Sequence, residues 1–268
     1  MIRLARHYID ALQIRLFLID EYLRTRKTKN VGSSLLRAIL RNPSGAEDWV
    51  NLLRFVDPDD ELLAIDIGAN VGSFTADLLT YFPKARSVCF EPCAEPFEVL
   101  SGRFEGDQRV ECHRCAIGSE HQTREMYVQP GASHYNSFHR YENDTNRFYD
   151  IDYQDVEEVA CRRLDEFDLA FDGTVLLKVD TQGHEVDVLR GAGPVLDAVD
   201  VALTEVSFAN EYEGLEPSFP TVAQILREHG LYPIIFQGFG GQVSNYPFER
   251  DVVFARKELL NNVFFHNY

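Results

Sequence analysis

An apolar run with a single acid, "ELLAIDIG", leads straight into "ANVG", so that Gly68 and Gly72 stand four residues apart where a strand should end. A glycine-rich turn leaving a strand lets backbone approach a ligand that side chains would hold off. The segment does not stand alone. From residue 61 short apolar runs alternate with helical stretches. "ELLAIDIG", "RSVCFEP", "VECHRCAIG", "TVLLKVD", "DVALTEVSF", "LYPIIFQ" and "DVVFARK" read as strands, and residues around 73–82, 94–104, 184–197 and 219–229 read as helices. Several of the strands are apolar on both faces, as strands covered by helices on each side must be. The alternation predicts an α/β fold with a doubly wound, mostly parallel sheet.

Two regions depart from this rhythm. Within 123–163, "TREMYVQP" and "VEEVACRRL" read as extra strands around a polar, aromatic stretch, a β-rich insertion. Ahead of the sheet, Leu4, Tyr8, Leu12, Leu16, Ile19 and Leu23 recur at helical spacing, and "GSSLLRAILRN" and "AEDWVNLLRFV" follow as shorter helices. The chain thus divides into an N-terminal helical appendage, 1–60, and a sheet domain, 61–268, that contains the insertion. The first helix suits a cap on the sheet domain or a homo-oligomer contact. Its Arg and Lys residues also suit a weak contact with a membrane surface.

Charge narrows the partners. The 268 residues carry 26 Lys+Arg against 43 Asp+Glu, for a formal net charge of -17. Nine of the basic residues but only three of the acidic ones fall in the first 41. A body that acidic repels nucleic acids, whose binding needs phosphates neutralised by Lys and Arg, so DNA and RNA are not expected partners. Five cysteines, an odd number with no recognisable signal peptide ahead of them, fit a reducing compartment. The expected location is cytoplasmic, with at most a peripheral attachment at the inner membrane face. Cys89, Cys93, Cys112 and Cys115 have a spacing that suggests zinc, but Cys112 and Cys115 point to opposite faces of an extended strand, which favours buried thiols.

The turn itself limits the ligand. Glu91 ends the second strand 23 residues after Gly68, near the spacing at which a carboxylate meets ribose hydroxyls in nucleotide-binding sheets. Ala69, Asn70 and Ser73 leave the G-x-G-x-x-G pattern for a pyrophosphate incomplete, and no G-x-x-x-x-G-K-[ST] occurs. A nucleoside without phosphates is the ligand these residues fit.

"AIDIGANVGSFT", "FEP", "LDEF", "LLKVDTQGHEVDVLRGA" and "EVSF" followed by "YEG" come in the order and spacing of the FkbM-type S-adenosylmethionine (SAM) dependent methyltransferases, which the chain resembles over about residues 61–256. The resemblance implies a class I methyltransferase sheet, Rossmann-like, with an antiparallel last strand, here "DVVFARK". It also implies that Gly68, Asn70 and Gly72 pass beneath the methionine part of the cofactor, with Asp180 close by. Glu91 would hold the ribose diol, Ala116 and Ile117 would lie near the adenine, and Asp66 would orient the loop or reach the cofactor's amino group through water.

Methyl transfer to an alcohol needs alignment with the donor and is helped by a base or a metal. Candidates cluster at two strand ends: Asp180, His184 and Glu185 in "KVDTQGHE", then Glu205 in "LTEVSF". His184 is the first choice of base, because an imidazole titrates near neutral pH; His134, in the insertion, is the reserve. Asp180 and Glu205 could instead share a Mg²⁺ with the acceptor oxygen. Seven aromatics between 127 and 153, with His134, Asn136 and Ser137, suit a neutral polyol or pack a small core of the insertion. The function expected is O-methylation of a hydroxyl on a saccharide, or on a glycosylated or polyketide-like natural product, with a small-molecule or glycan acceptor. The rivals are a non-catalytic nucleoside-binding or scaffold protein and an NAD(P)-dependent oxidoreductase.

Overall fold

The computed structural model describes residues 56, 60–142, 151, 153, 155–236 and 249–259. The helices expected before residue 56, with the membrane or oligomer contact assigned to them, lie outside the described residues, as do Phe148 and Tyr149. Among the described residues no helix is long and apolar enough to cross a membrane.

Seven strands form the main sheet: β1 (Leu62–Ile67), β2 (Ala85–Phe90), β3 (Val110–His113), β7 (Thr174–Val179), β8 (Val201–Ser207), β9 (Leu231–Phe236) and β10 (Glu249–Arg256). Their order is β3-β2-β1-β7-β8-β10-β9. β1, β2, β3, β7 and β8 run parallel, while β10 lies antiparallel between β8 and β9. Each of the seven apolar runs supplies one of these strands, and the last one is antiparallel, as the resemblance implied. Helices α1 (Ser73–Tyr81), α2 (Ala94–Arg103), α3 (Glu185–Ala192) and α4 (Phe219–Glu228) fall in the four stretches with helical spacing.

β1 shows why the sheet needs helices on both faces. All six of its residues are buried. Leu63, Ile65 and Ile67 join one core cluster with Leu177, Val188 and Leu226, whereas Leu62 and Ala64 join a second with Leu78, Tyr81 and Leu176. The strand's two-residue period sends alternate side chains to opposite cores, and each buried Leu or Ile contributes about 1.5 to 3 kcal/mol. Asp66 is the exception on the second face. β1 also sits where the strand order reverses, between β2 and β7, so the crevice of the fold opens at the carboxyl ends of β1 and β7.

"VECHRCAIG", expected as one strand, is two. β3 stops at His113, and β4 (Ala116–Ile117) pairs instead with β6 (Asp155–Arg162) in a second sheet of order β4-β6-β5, where β5 is Gln122–Val128. Cys115 N–H bonds back to His113 O at 3.1 Å, which turns the chain out of the main sheet. The break scatters the cysteines. Cys89 and Cys112 are in register on β2 and β3, Cys115 joins the main core, and Cys93 donates to Met126 Sδ under the second sheet. All five are free thiols, and among the described residues no three His, Cys, Asp or Glu side chains are grouped to hold a metal.

Candidate functional site

The turn after β1 is built by contact with its neighbours. Gly68 and Ala69 N–H both donate to Phe90 O at 3.0 Å, tying the turn to the end of β2. A Cβ on Gly68 would stand 1.8 Å from Asp180 O, and the residue's φ is +77°, so two independent constraints require glycine. Gly72, at φ +76°, has Leu100 and Phe104 side-chain atoms 2.7 Å from where its Cβ would be. Its carbonyl accepts from Ala76 N–H at the start of α1. It is a packing and capping residue, away from the cavity.

Glu91 follows β2 and is 6% exposed. Its Oε2 accepts Asn70 N–H at 2.9 Å and its Oε1 accepts Cys93 N–H at 3.0 Å. Burial pushes the carboxyl up to about 7 against these two bonds. Each carboxylate oxygen has a second lone pair, and Glu91 faces a cavity of about 290 Å³ whose other walls include Gly68, Asn70, Phe90, Ala116 and Ile117. The insertion roofs it with Ser133, His134, Tyr135, Asn136 and Phe138, and Ser133 Oγ donates to Asn70 Oδ1 at 2.9 Å. Asp66 lies beneath, fully buried. It accepts from Thr75 Oγ1 of α1 at 2.8 Å and faces Lys178 Nζ at 3.5 Å, so it braces the turn from behind without lining the cavity.

Lys178 was passed over in the sequence. Its ammonium reaches from β7 to Gly68 O and Asp180 Oδ2, both at 3.2 Å. Burial would neutralise it, but Asp180 and Asp66 outweigh that and raise its pKa, so it is charged. Burial also works against ionised Asp180, and the Lys178 ammonium overcomes it, holding Asp180 below the usual carboxylate range. A lysine inside "TVLLKVD" was the available signal, since a charge in an all-apolar strand needs a buried partner.

The far end of the cavity carries Asp180, Gln182, Glu205 and Glu249. Gln182, at φ +51°, donates from Nε2 to Asp180 Oδ1 at 3.1 Å and to Glu205 Oε2 at 2.6 Å. Its Oε1 accepts Tyr141 OH at 2.7 Å, and its backbone O accepts Ser137 Oγ at 2.5 Å. Burial, reinforced by Asp180, raises the Glu205 pKa well above the carboxylate range, so it is neutral. Burial, with the paired Glu211, also raises Glu249 to about 10.

These contacts bear on a Mg²⁺ between Asp180 and Glu205. The Gln182 amide already fills the gap by donating to both carboxyls, and the Lys178 ammonium occupies Asp180 Oδ2. The donor set does not fit the ion.

His184 and Glu185 sit differently from what their place in the motif suggests. His184 is 2% exposed, packed 4.6 Å from the Phe138 ring, and burial drives its pKa down to about 3. It touches the cavity as a neutral ring. Glu185 Oε1 accepts Thr181 N–H, Thr181 Oγ1–H and Gly183 N–H at 3.0 to 3.2 Å, closing the turn before α3. His134 stays exposed at the roof, its ring centroid 4.1 Å from that of Tyr135 at a tilt of 46°. Of the aromatics, Tyr135 and Phe138 line the cavity, while Tyr127, Tyr141 and Tyr153 stack against one another or their neighbours.

Comparison with known proteins identifies the family of the chain. The model of the Methyltransferase FkbM domain matches residues 66–231, from the buried acid of β1 to the first residue of β9. Methyltransferase 1 of Beauveria bassiana is 29% identical over 153 residues, covering 50% of this chain and 59% of that protein. The 2-O-methyltransferase NoeI of Sinorhizobium fredii is 28% identical over 195 residues, covering 66% of this chain and 79% of that protein. Among solved structures, the N-methyltransferase NodS from Bradyrhizobium japonicum aligns with a TM-score of 0.45 and 10% identity, over 85% of this chain and 94% of that one. The chain belongs to the FkbM methyltransferase family.

Proposed function

We propose that this methyltransferase holds its cofactor, S-adenosylmethionine, in the 290 Å³ cavity and methylates a hydroxyl of a saccharide, or of a glycosylated or polyketide-like natural product. The observation that carries this reading is a single cavity joining a nucleoside cradle to a carboxyl-lined end. The cradle fits the cofactor. Glu91 keeps lone pairs for two adjacent hydroxyls, and Phe90, Ala116 and Ile117 make an apolar wall for a purine. Among the described lining residues there is no Lys or Arg to meet a phosphate.

When bound, S-adenosylmethionine supplies a methyl group on a positively charged sulfur, which an acceptor oxygen displaces in line. The chain's own part is to hold that oxygen. Asp180, kept ionised by Lys178, accepts the acceptor's hydroxyl hydrogen and so orients its lone pair. Glu205 and Glu249, neutral, offer hydrogen bonds without adding charge. The hydroxyl proton leaves late in such a displacement, so a carboxylate of low pKa serves to orient it, and the proton passes on to solvent, with His134 on the same cavity's lining as the candidate carrier. His184 is assigned to packing, and no step runs through a metal. The relative named as a 2-O-methyltransferase supports an oxygen acceptor.

The test is transfer of radiolabelled methyl from S-adenosylmethionine to a panel of glycans and lipid-linked sugars. Label recovered as an O-methyl sugar is the expected result. A protein that binds the cofactor yet labels none of the sugars removes the saccharide reading.

A further inference from the structure

A second cavity, of about 170 Å³, lies on the other side of the Gly183–His184 turn. Its floor is polar and buried: Ser207 and Ser218 are 8% exposed and Glu211 is 1% exposed. Tyr212 forms a wall. It comes so near the turn that a Cβ on Gly183, at φ +92°, would lie 2.8 Å from the ring. Arg190 and Glu216, both exposed, mark the rim. His184 lines this cavity as well as the main one, with its Nδ1 3.6 Å from Asp187 Oδ2, while its Nε2 faces Gly118 in the second sheet's direction.

The lining selects a chemical class. Three carboxyls, Asp187, Glu211 and Glu216, against one Arg190 oppose a phosphate or a carboxylate ligand. The hydroxyls of Ser207 and Ser218 on the floor, although bonded to each other and to each other's backbone N–H, still make a polar surface that opposes an alkyl chain. Carboxyl and hydroxyl oxygens beside the rings of Tyr212 and His139, whose centroids are 6.2 Å apart, suit a small neutral polyol with an apolar ring face. The volume admits one sugar ring rather than a larger ligand.

We propose that this cavity is a subsite for a neutral sugar unit adjoining the one that is methylated. The proposal rests on reading the main cavity as the methyl-transfer site, with which this cavity shares His184 in its lining. An acceptor of at least two sugar units is therefore the substrate class.

The full chain, saturated with S-adenosylhomocysteine, is titrated with N,N′-diacetylchitobiose, maltose and methyl glycosides, with binding followed by calorimetry and saturation-transfer NMR. Arg190→Ala and Glu216→Gln change only the exposed rim and leave the core intact. The expected result is disaccharide binding that weakens at least tenfold in both variants, while affinity for S-adenosylhomocysteine stays within twofold. Saccharide affinity unchanged in both variants overturns the subsite, as does the absence of saccharide binding to a protein that binds S-adenosylhomocysteine. Failure to bind S-adenosylhomocysteine strikes the methyl-transfer reading instead, and the saccharide titration still decides the subsite.

Discussion

Cofactor affinity should fall with acid because of one carboxyl. Glu91 is buried, and its pKa stands at about 7 against an ordinary 4.5. A folded-state value raised above the unfolded one means that stability present below pH 4.5 is lost as pH rises through 7. The loss is roughly 3 kcal/mol for a shift of this size, and two backbone N–H bonds and a bound ribose diol are what the ionised form gains in return. The ionised form is the one that accepts from both ribose hydroxyls. With a pKa near 7, roughly nine-tenths of the carboxyl is ionised at pH 8 and one-tenth at pH 6, so the apparent Kd for S-adenosylhomocysteine should weaken about tenfold across that range. The thioether product is the right probe, because it lacks the sulfonium charge. Calorimetry at pH 6, 7 and 8 measures the slope, and Glu91→Gln should bind more weakly with the slope removed. A wild-type Kd that is flat from pH 6 to 8, or a Glu91→Gln variant with the wild-type slope, refutes the argument.

Other perturbations test the parts around it. Gly68→Ala forces a Cβ against Asp180 O and a left-handed backbone at once; strain of about 1 to 2 kcal/mol adds to overpacking of about 1 to 3 kcal/mol, measurable as a large loss in a denaturant melt. Lys178→Met strands Asp66 and Asp180 without their cation and should cost about 3 to 5 kcal/mol. Adding Asp66→Asn should recover part of that, and no recovery would mean that the pair is not coupled. His184→Gln should leave the pH dependence of methyl transfer unmoved, since the ring is neutral above about pH 3; a lost limb in the rate profile would restore it as the base. Treatment with EDTA should leave turnover within twofold, and a deficit repaired by Mg²⁺ would contradict the Gln182-bridged arrangement.

The cradle was legible because its residues act through local backbone. Gly68, Asn70 and Glu91 sit at strand ends that hydrophobic period alone locates, and their spacing is fixed by one helix and one strand. The acceptor end was less legible, because its properties come from neighbours far along the chain. His184 looked like a base until Phe138, from an insertion 46 residues earlier, covered it. Gln182 carried no signal of its own in the sequence. Folding places its amide between carboxyls from β7 and β8 and its carbonyl under Tyr141. The aromatic stretch of the insertion was read both as a sugar platform and as a small core, and most of its described rings stack on one another.

The sequence by itself determined the sheet, the helices between its strands, the glycine turn and the acid at the end of β2 that faces it. Those follow from periodicity and from backbone conformations that few residues adopt. Only the tertiary structure decided which polar groups are charged. Burial and the nearest opposite charge set each protonation state, so Lys178 and Asp180 are ionised while Glu205, Glu249 and His184 are neutral. Those neighbours meet only once β7, β8, β10 and the insertion have packed together.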